Sequence, residues 1–365
     1  MTLQHPLRTI SLLCAVGLTT WSYALSIDSI INLPAMGVPV INYSPETNWT
    51  FGGAAQGYFS IPGQQQKMSI VQLDGAYTLN RQWYVNAQGS IYIPGHFLYQ
   101  VMFRGGYRDY PDTYYELGNG GKGRPVRKAG QHYDSQRGYF HVEPSMWFSH
   151  FAVGLVGDFI TETVSNITIP HDDMLMWGLG VSASYDSRNI LFYPTTGLFF
   201  KTIATYYDSK CGNTTGMVGV DIDFRHFVPI YKELIFAYQA HAAFALNTSK
   251  AEIPFQMLPT LGGYDLLRGV PRGMYRDNMM WALQGELRIP IWKWIKGTVF
   301  AGLGDVIGNY GTAVGVPKVG YGLGLRASIN KAKVNIRFDI ARNNIDREWD
   351  TWSSYSFYLT ATEAF

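Results

Sequence analysis

Charge is scarce along these 365 residues: Asp, Glu, Lys and Arg make up 15% of the chain, against roughly 25% in an ordinary soluble domain. The 29 Lys plus Arg nearly balance the 27 Asp plus Glu, which excludes the basic footprint of a nucleic-acid binder and any strongly steered acidic partner. Cysteine is scarcer still. Cys14 falls in an N-terminal leader, so the mature chain is expected to keep Cys211 alone and to form no internal disulfide. Long apolar runs are missing as well: beyond the leader no segment approaches about 18 consecutive apolar residues, which excludes helical membrane spans. Aromatic residues, by contrast, reach 15%, and glycines number 39.

The leader "MTLQHPLRTISLLCAVGLTTWSYALS" has Arg8, an apolar stretch from Ile10 to Trp21, and Ser22-Tyr23-Ala24 as a small-x-small cleavage site. Residues 1–24 therefore read as a secretory signal peptide, too short in its apolar part to span a bilayer. "SLLC" lacks the small residue that a lipoprotein signal places before its cysteine. An exported chain without disulfides leaves two options, a periplasmic or secreted globule and an outer-membrane β-barrel.

Period-2 alternation separates them. In "WALQGELRI", Trp281, Leu283, Leu287 and Ile289 share one face, and Ala282, Gln284, Glu286 and Arg288 the other. In "KVNIRFDI", Val334, Ile336, Phe338 and Ile340 stand opposite Lys333, Asn335, Arg337 and Asp339; "MVGVDIDFRHF" sets Asp221, Asp223 and Arg225 against Val220, Ile222 and Phe224. A soluble sandwich alternates too, but spreads Lys and Glu over its outer face. Here the apolar face carries aromatics near strand ends (Trp49, Trp83, Trp147, Trp177, Trp281, Tyr355), as interfacial girdles require. The favoured fold class is all-β, a transmembrane antiparallel β-barrel.

Segments of about ten residues suit a tilted membrane strand. Counted from 49–60, with 112–119 as the fifth and 354–365 as the last, they number sixteen, an even count. The expected organisation is a signal peptide at 1–24, a short periplasmic segment at 25–47 and the barrel at 48–365. The longest connection, 248–277, falls between the eleventh and twelfth strands. It contains "LPTLGGYDLLRGVPRGMYRD", where Arg268 sits among Leu266, Leu267, Gly269 and Val270. Phe365, a terminal aromatic, is the kind of C-terminal signal that outer-membrane assembly machinery reads, although Glu363 stands where an apolar residue is usual.

"LGGYDLLRGV" followed by "WALQGELRIPI" resembles the sixth-loop signature of the BamA/TamA family, the bacterial surface antigen superfamily of outer-membrane insertases and translocators. "PVINYSPETNWTFG" at 39–52 is similar to that family's entry into its first strand, and "YDSRNILFYPTTG" at 185–197 to the turn after its eighth, with Asp186, Arg188, Pro194 and Gly197 in place. The resemblance implies a loop folded back into the barrel, with Gly262, Gly263, Leu267, Arg268 and Gly269 as its motif. It further implies that Arg268 reaches acidic side chains on the inner faces of strands twelve and thirteen. Glu286 matches the strand-twelve acid. Gly302 occupies the second acid's position, and Asp305, three residues on, points by alternation to the other face. Too few residues precede the first strand for a POTRA domain, so a barrel-only relative is expected. It would assist insertion or translocation of polypeptides or lipid in the bacterial outer membrane; a passive pore or structural envelope protein on the same fold is the alternative. The partners implied are outer-membrane lipid and lipopolysaccharide, the assembly machinery, and a client polypeptide or periplasmic partner.

The chain is not expected to be an enzyme, and no cofactor or metal is expected. His141, His226 and His241 are the candidate bases, but spacing puts no serine beside them, and wall histidines are the simpler reading. "GVSAS" at 180–184 lacks the last glycine of a nucleophile elbow. The loop "GKGRPVRK", with Lys122, Arg124, Arg127 and Lys128, suits either lipopolysaccharide phosphates or plain solvation. "GYGLG" at 320–324 has no helix after it, and its glycines are expected to make room for groups packed in the lumen.

Overall fold

The computed structural model describes residues 35–59, 61, 68–119, 130–169, 173–190, 193–309, 316–328, 335–345 and 355–360. The leader, the basic loop at 122–128, Glu363 and Phe365 lie outside them.

Among the described residues, sixteen strands form the wall. They are β1 (Ala35–Ser44), β2 (Asn48–Phe59), β3 (Ser69–Thr78), β4 (Trp83–Ile93), β5 (Leu98–Asp109), β6 (Gln131–Phe148), β7 (Phe151–Ser165) and β8 (Met174–Asp186). The circuit continues through β9 (Gly197–Tyr207), β10 (Met217–Tyr231), β11 (Leu234–Asn247), β12 (Met279–Trp292), β13 (Ile295–Ile307), β14 (Lys318–Ser328), β15 (Asn335–Asn343) and β16 (Ser356–Thr360). Each strand pairs antiparallel with the next, and β16 returns to β1 with Tyr43 opposite Leu359, closing the barrel. One end carries the two-residue turns 149–150, 232–233 and 293–294; the other carries the long connections, 248–278 among them.

The expected count is right because two errors cancel. β1 lies inside the segment 25–47 expected to be periplasmic, so "PVINYSPETNWTFG" is the first hairpin rather than an entry into a first strand. Conversely, 112–119 contains no wall strand: Asp112–Tyr114 pairs with Gln131–Tyr133 at the extended end of β6, and Gly118 bridges Arg276 of the long loop. The four strands between therefore run opposite to the direction that counting from 49–60 assigns. The cause is local. "AMGVPVINYS" is apolar at both parities and holds a proline, so it shows no polar-apolar alternation, whereas the aromatic Tyr114 of "DTYYELGN" packs on Phe255 at 5.0 Å within the loops.

Elsewhere the alternation predicts orientation. Ile336, Phe338 and Ile340 face outward and are exposed, while Arg337 and Asp339 face inward and are buried. Trp49, Trp83, Trp177 and Tyr355 are exposed. Trp147 departs from the girdle: it shares the parity of the buried His141 and Glu143, and its indole N–H donates to Gln100 Oε1 at 2.7 Å.

The long-loop end also holds an apolar core inside the barrel. Leu261, Leu267, Val270 and Tyr275 of the connection 248–278 pack against Met280, Ala282 and Val306 of the wall. A second cluster joins Ile253 and Leu258 to Met174, Met176 and Met217.

Candidate functional site: the inward-folded loop

The inner face of β12 is graded along its length. Met280 and Ala282 meet the apolar part of the loop, Gln284 donates to the Asp265 carbonyl at 2.8 Å, Glu286 is fully buried, and Arg288 donates to the Pro194 carbonyl at 3.0 Å. The loop from the long end and the connection 187–196 from the opposite end thus converge on one strand. Arg268 stands between the apolar and ionic zones. The Val270 N–H donates to the Leu267 carbonyl at 3.2 Å, closing a turn around Arg268 and Gly269. Gly269, at φ 97, takes the positive φ that a type II turn requires at its third residue. A Cβ there would strike the Arg342 backbone. Leu267, at φ 60, is the non-glycine residue of the loop with a positive φ, held there by complete burial of its side chain.

The Arg268 guanidinium donates to Glu286 Oε2 at 2.8 Å and to Asp339 Oδ2 at 2.7 Å, and lies 3.5 Å from the centroid of the Phe300 ring. The two-acid arrangement exists, but the second acid comes from β15 rather than from β13. The reason sits at Gly302: a Cβ there would lie 3.1 Å from Leu267 Cδ1 and 2.9 Å from Gln284 Cβ, so the loop comes too close for an aspartate. Glycines 304 and 320 clear the same trough, since a Cβ at Gly304 would press on Leu261 and one at Gly320 on the Arg268 carbonyl. Gly324 leaves room for the pair between Arg326 and Asp339. Asp305 is buried instead of facing lipid, and its carboxylate takes Lys318 Nζ at 2.6 Å. It sits near the end of β13, and its ion pair is with Lys318 rather than with Arg268.

Arg268 is not alone with Glu286. Arg288 donates to Glu286 Oε1 at 2.9 Å, Arg326 reaches both Glu286 (3.0 Å) and Asp339 (2.5 Å), and Arg337 lies 3.5 Å from Asp339. Four buried guanidiniums share two carboxylates. The family resemblance implied Arg268 with Glu286 but not Asp339, Arg326 and Phe300 as their neighbours; all three lie on inward positions that alternation exposes, without saying which meet.

The same loop touches both sides of the closure. The Gly269 N–H donates to the Tyr358 hydroxyl on β16 at 3.1 Å, and Asn343 Nδ2 donates to the Gly269 carbonyl at 2.6 Å. The Arg272 N–H donates to Glu46 Oε1 at 3.1 Å, in the turn between β1 and β2. Glycines 262 and 263, at φ 104 and 110, let the chain double back so that the Gly263 N–H meets the Val270 carbonyl at 2.9 Å.

Residues 155–365 match the Omp85 superfamily domain. The chain belongs to the Omp85 superfamily. Its fold is that of other Omp85 barrels. Over 90% of the chain it superposes on 70% of BamA from Haemophilus ducreyi lacking POTRA domains 1–3, with a TM-score of 0.65 and 14% identity. CdiB from Acinetobacter baumannii (TM-score 0.56, 13% identity, 90% of this chain and 59% of that one) and CdiB from Escherichia coli (0.58, 12%, 91% and 63%) share it as well. The chain spans less than two thirds of either CdiB. No curated protein matches the sequence. As an Omp85 barrel this is a bacterial outer-membrane protein of the insertase and translocator type.

The three candidate histidines each face a carboxylate or a tyrosine. His141 Nδ1 lies 2.7 Å from Asp158, His241 3.0 Å from Asp221, and His226 2.9 Å from the Tyr238 hydroxyl. Ser182 donates to Glu143 at 2.7 Å rather than to His141.

Proposed function

We propose that this barrel helps polypeptides, or lipid, to enter or cross the outer membrane at the seam between β1 and β16. The observation that carries the reading is the placement of one stretch, Arg268 to Arg272, which bonds Tyr358 on one side of the closure and Glu46 on the other. A wall in lipid tolerates no unpaired edge. If β1 and β16 part, each presents backbone groups on which a client strand can pair. A loop anchored to both rims lets the wall separate and close again in register. The partners proposed are a client chain, the surrounding lipid and the assembly machinery, and no catalysis is invoked.

The passive-pore alternative meets the apolar core at the long-loop end, where a water-filled channel needs polar lining. Reconstitution separates the two. The full chain in vesicles should accelerate folding of an unfolded outer-membrane barrel client, and a disulfide between Tyr43→Cys and Leu359→Cys, which closes the seam, should abolish the acceleration. Steady ion conductance with no effect on the client would favour the pore. Lipase activity in the same vesicles would contradict the non-enzymatic reading.

A further inference from the structure

Two neighbouring hairpins at the short-turn end repeat one another. "VPIYKEL" (228–234) closes β10 and β11, and "IPIWKWI" (289–295) closes β12 and β13. Pro229 matches Pro290, Ile230 matches Ile291, Tyr231 matches Trp292 and Lys232 matches Lys293. The pairing register shifts at the same step in both, between Pro229 and Tyr231 and between Pro290 and Trp292. Proline is tolerated in a strand at such bulges because it cannot donate to the ladder. β11 pairs with β12, Ile235 opposite Arg288, so the two tips stand side by side.

The bulge changes what the tips show. Along the wall, large apolar side chains are exposed at alternate positions. At the tips they are exposed in succession: Ile230 (57%) and Tyr231 (66%), then Ile291 (60%), Trp292 (66%) and, past Lys293, Trp294 (53%). Lys232 and Lys293 are exposed beside them, and Lys232 Nζ lies 5.0 Å over the Tyr231 ring. Glu233 turns toward Lys296, 3.9 Å away. The described tips at 94–97 and 149–150 contain His96 and His150 and no lysine.

We propose that these paired tips form a binding site for anionic phospholipid in the leaflet on the short-turn side. Ile230 and Ile291 continue the lipid-facing surface, so the patch begins in hydrocarbon. Tyr231, Trp292 and Trp294 stand where amphipathic rings settle, at the headgroup level. Lys232 and Lys293 supply the cations that an anionic headgroup complements, Lys232 reaching over the Tyr231 ring. Two tips rather than one allow a single phosphate, or two adjacent ones, to be held between lysines. A periplasmic protein domain is the competing occupant.

The test uses the full chain reconstituted in phosphatidylcholine vesicles with trace spin-labelled phosphatidylglycerol or phosphatidylcholine, and reads the motionally restricted fraction of each. Each lysine near an anionic surface contributes roughly a fivefold preference, so the wild-type barrel should restrict phosphatidylglycerol selectively. Lys232→Gln with Lys293→Gln should remove most of that selectivity while the folded barrel keeps its heat-modifiable mobility. Trp292→Ala with Trp294→Ala should lower restriction of both lipids and leave their ratio unchanged. Selectivity that survives the double lysine substitution overturns the site. So does the absence of selectivity in the wild type.

Discussion

The wall from β12 to β15 and the wall from β2 to β5 share one strand pattern and differ in what they turn inward. The first alternates glycine with buried charge: Gly302, Gly304, Gly320 and Gly324 clear a trough, and Glu286, Arg288, Arg326, Arg337 and Asp339 line it. The second carries amides in a half-buried ladder. Gln56 donates to Gln72, Gln72 and Asn86 donate to Asp74, and Gln100 donates to Ser90, at 2.5 to 3.1 Å. Where a loop is packed into the lumen, water is displaced and each charge must meet a fixed counterpart. Where the wall stays half-exposed, amides and a hydroxyl, which both donate and accept, meet one another and the half-exposed carboxylate of Asp74 without that constraint.

Glu286 is where the contrast breaks most severely. Glu286→Ala takes a carboxylate from Arg268, Arg288 and Arg326 and leaves Asp339 as the acid the cluster shares, and the loss should reach or exceed the upper end of the about 3 to 5 kcal/mol that follows removal of one buried partner. The expected readout is disappearance of the heat-resistant folded band on gels. Arg268→Ala should cost less, near about 3 kcal/mol, because Arg326 continues to bridge both acids. Exchanging the charges at 268 and 286 should not restore the barrel, since an arginine at 286 would face Arg288 and Arg326. Equal losses from the two single substitutions, or recovery in the exchange, would show that Glu286 serves Arg268 alone.

A milder effect is expected from Gly320→Val, whose side chain would occupy the space of the Arg268 carbonyl. Overpacking of this kind costs about 1 to 3 kcal/mol, and limited proteolysis should cut the loop at 262–273 sooner than in the wild type. Undisturbed protease resistance would mean that the trough has slack. The smallest effect belongs to the opposite wall. Gln72→Ala removes half-exposed hydrogen bonds to Gln56 and to the Asp74 carboxylate and should change the urea midpoint by the equivalent of about 1 kcal/mol. A loss comparable to that at Glu286 would erase the distinction between the walls.

Much of this was legible in the chain. Strict alternation in "WALQGELRI" and "KVNIRFDI" assigned inward and outward faces that the barrel keeps, and the glycines of "GYGLG" do make room for lumenal groups, with Gly320 against Arg268 and Gly324 against Asp339. β1 was not legible, because a strand apolar at both parities carries no period for its neighbours to betray. Nor was the inward turn of Trp147, which depends on the position of Gln100 on β5.

By itself, then, the sequence determined strand periodicity and the inward side of the strands that alternate, and its resemblance to the BamA/TamA family implied the loop that folds back and one ion pair, Arg268 with Glu286. Only the tertiary structure decided that Asp339, 71 residues beyond Arg268, is the second acid, that Glu286 is shared among three arginines, and that one loop joins both rims of the closure. Period and turn chemistry act over a few neighbouring residues. The partner of a buried charge is set by which strands the closed circuit brings opposite the loop, and by how closely glycine lets that loop approach.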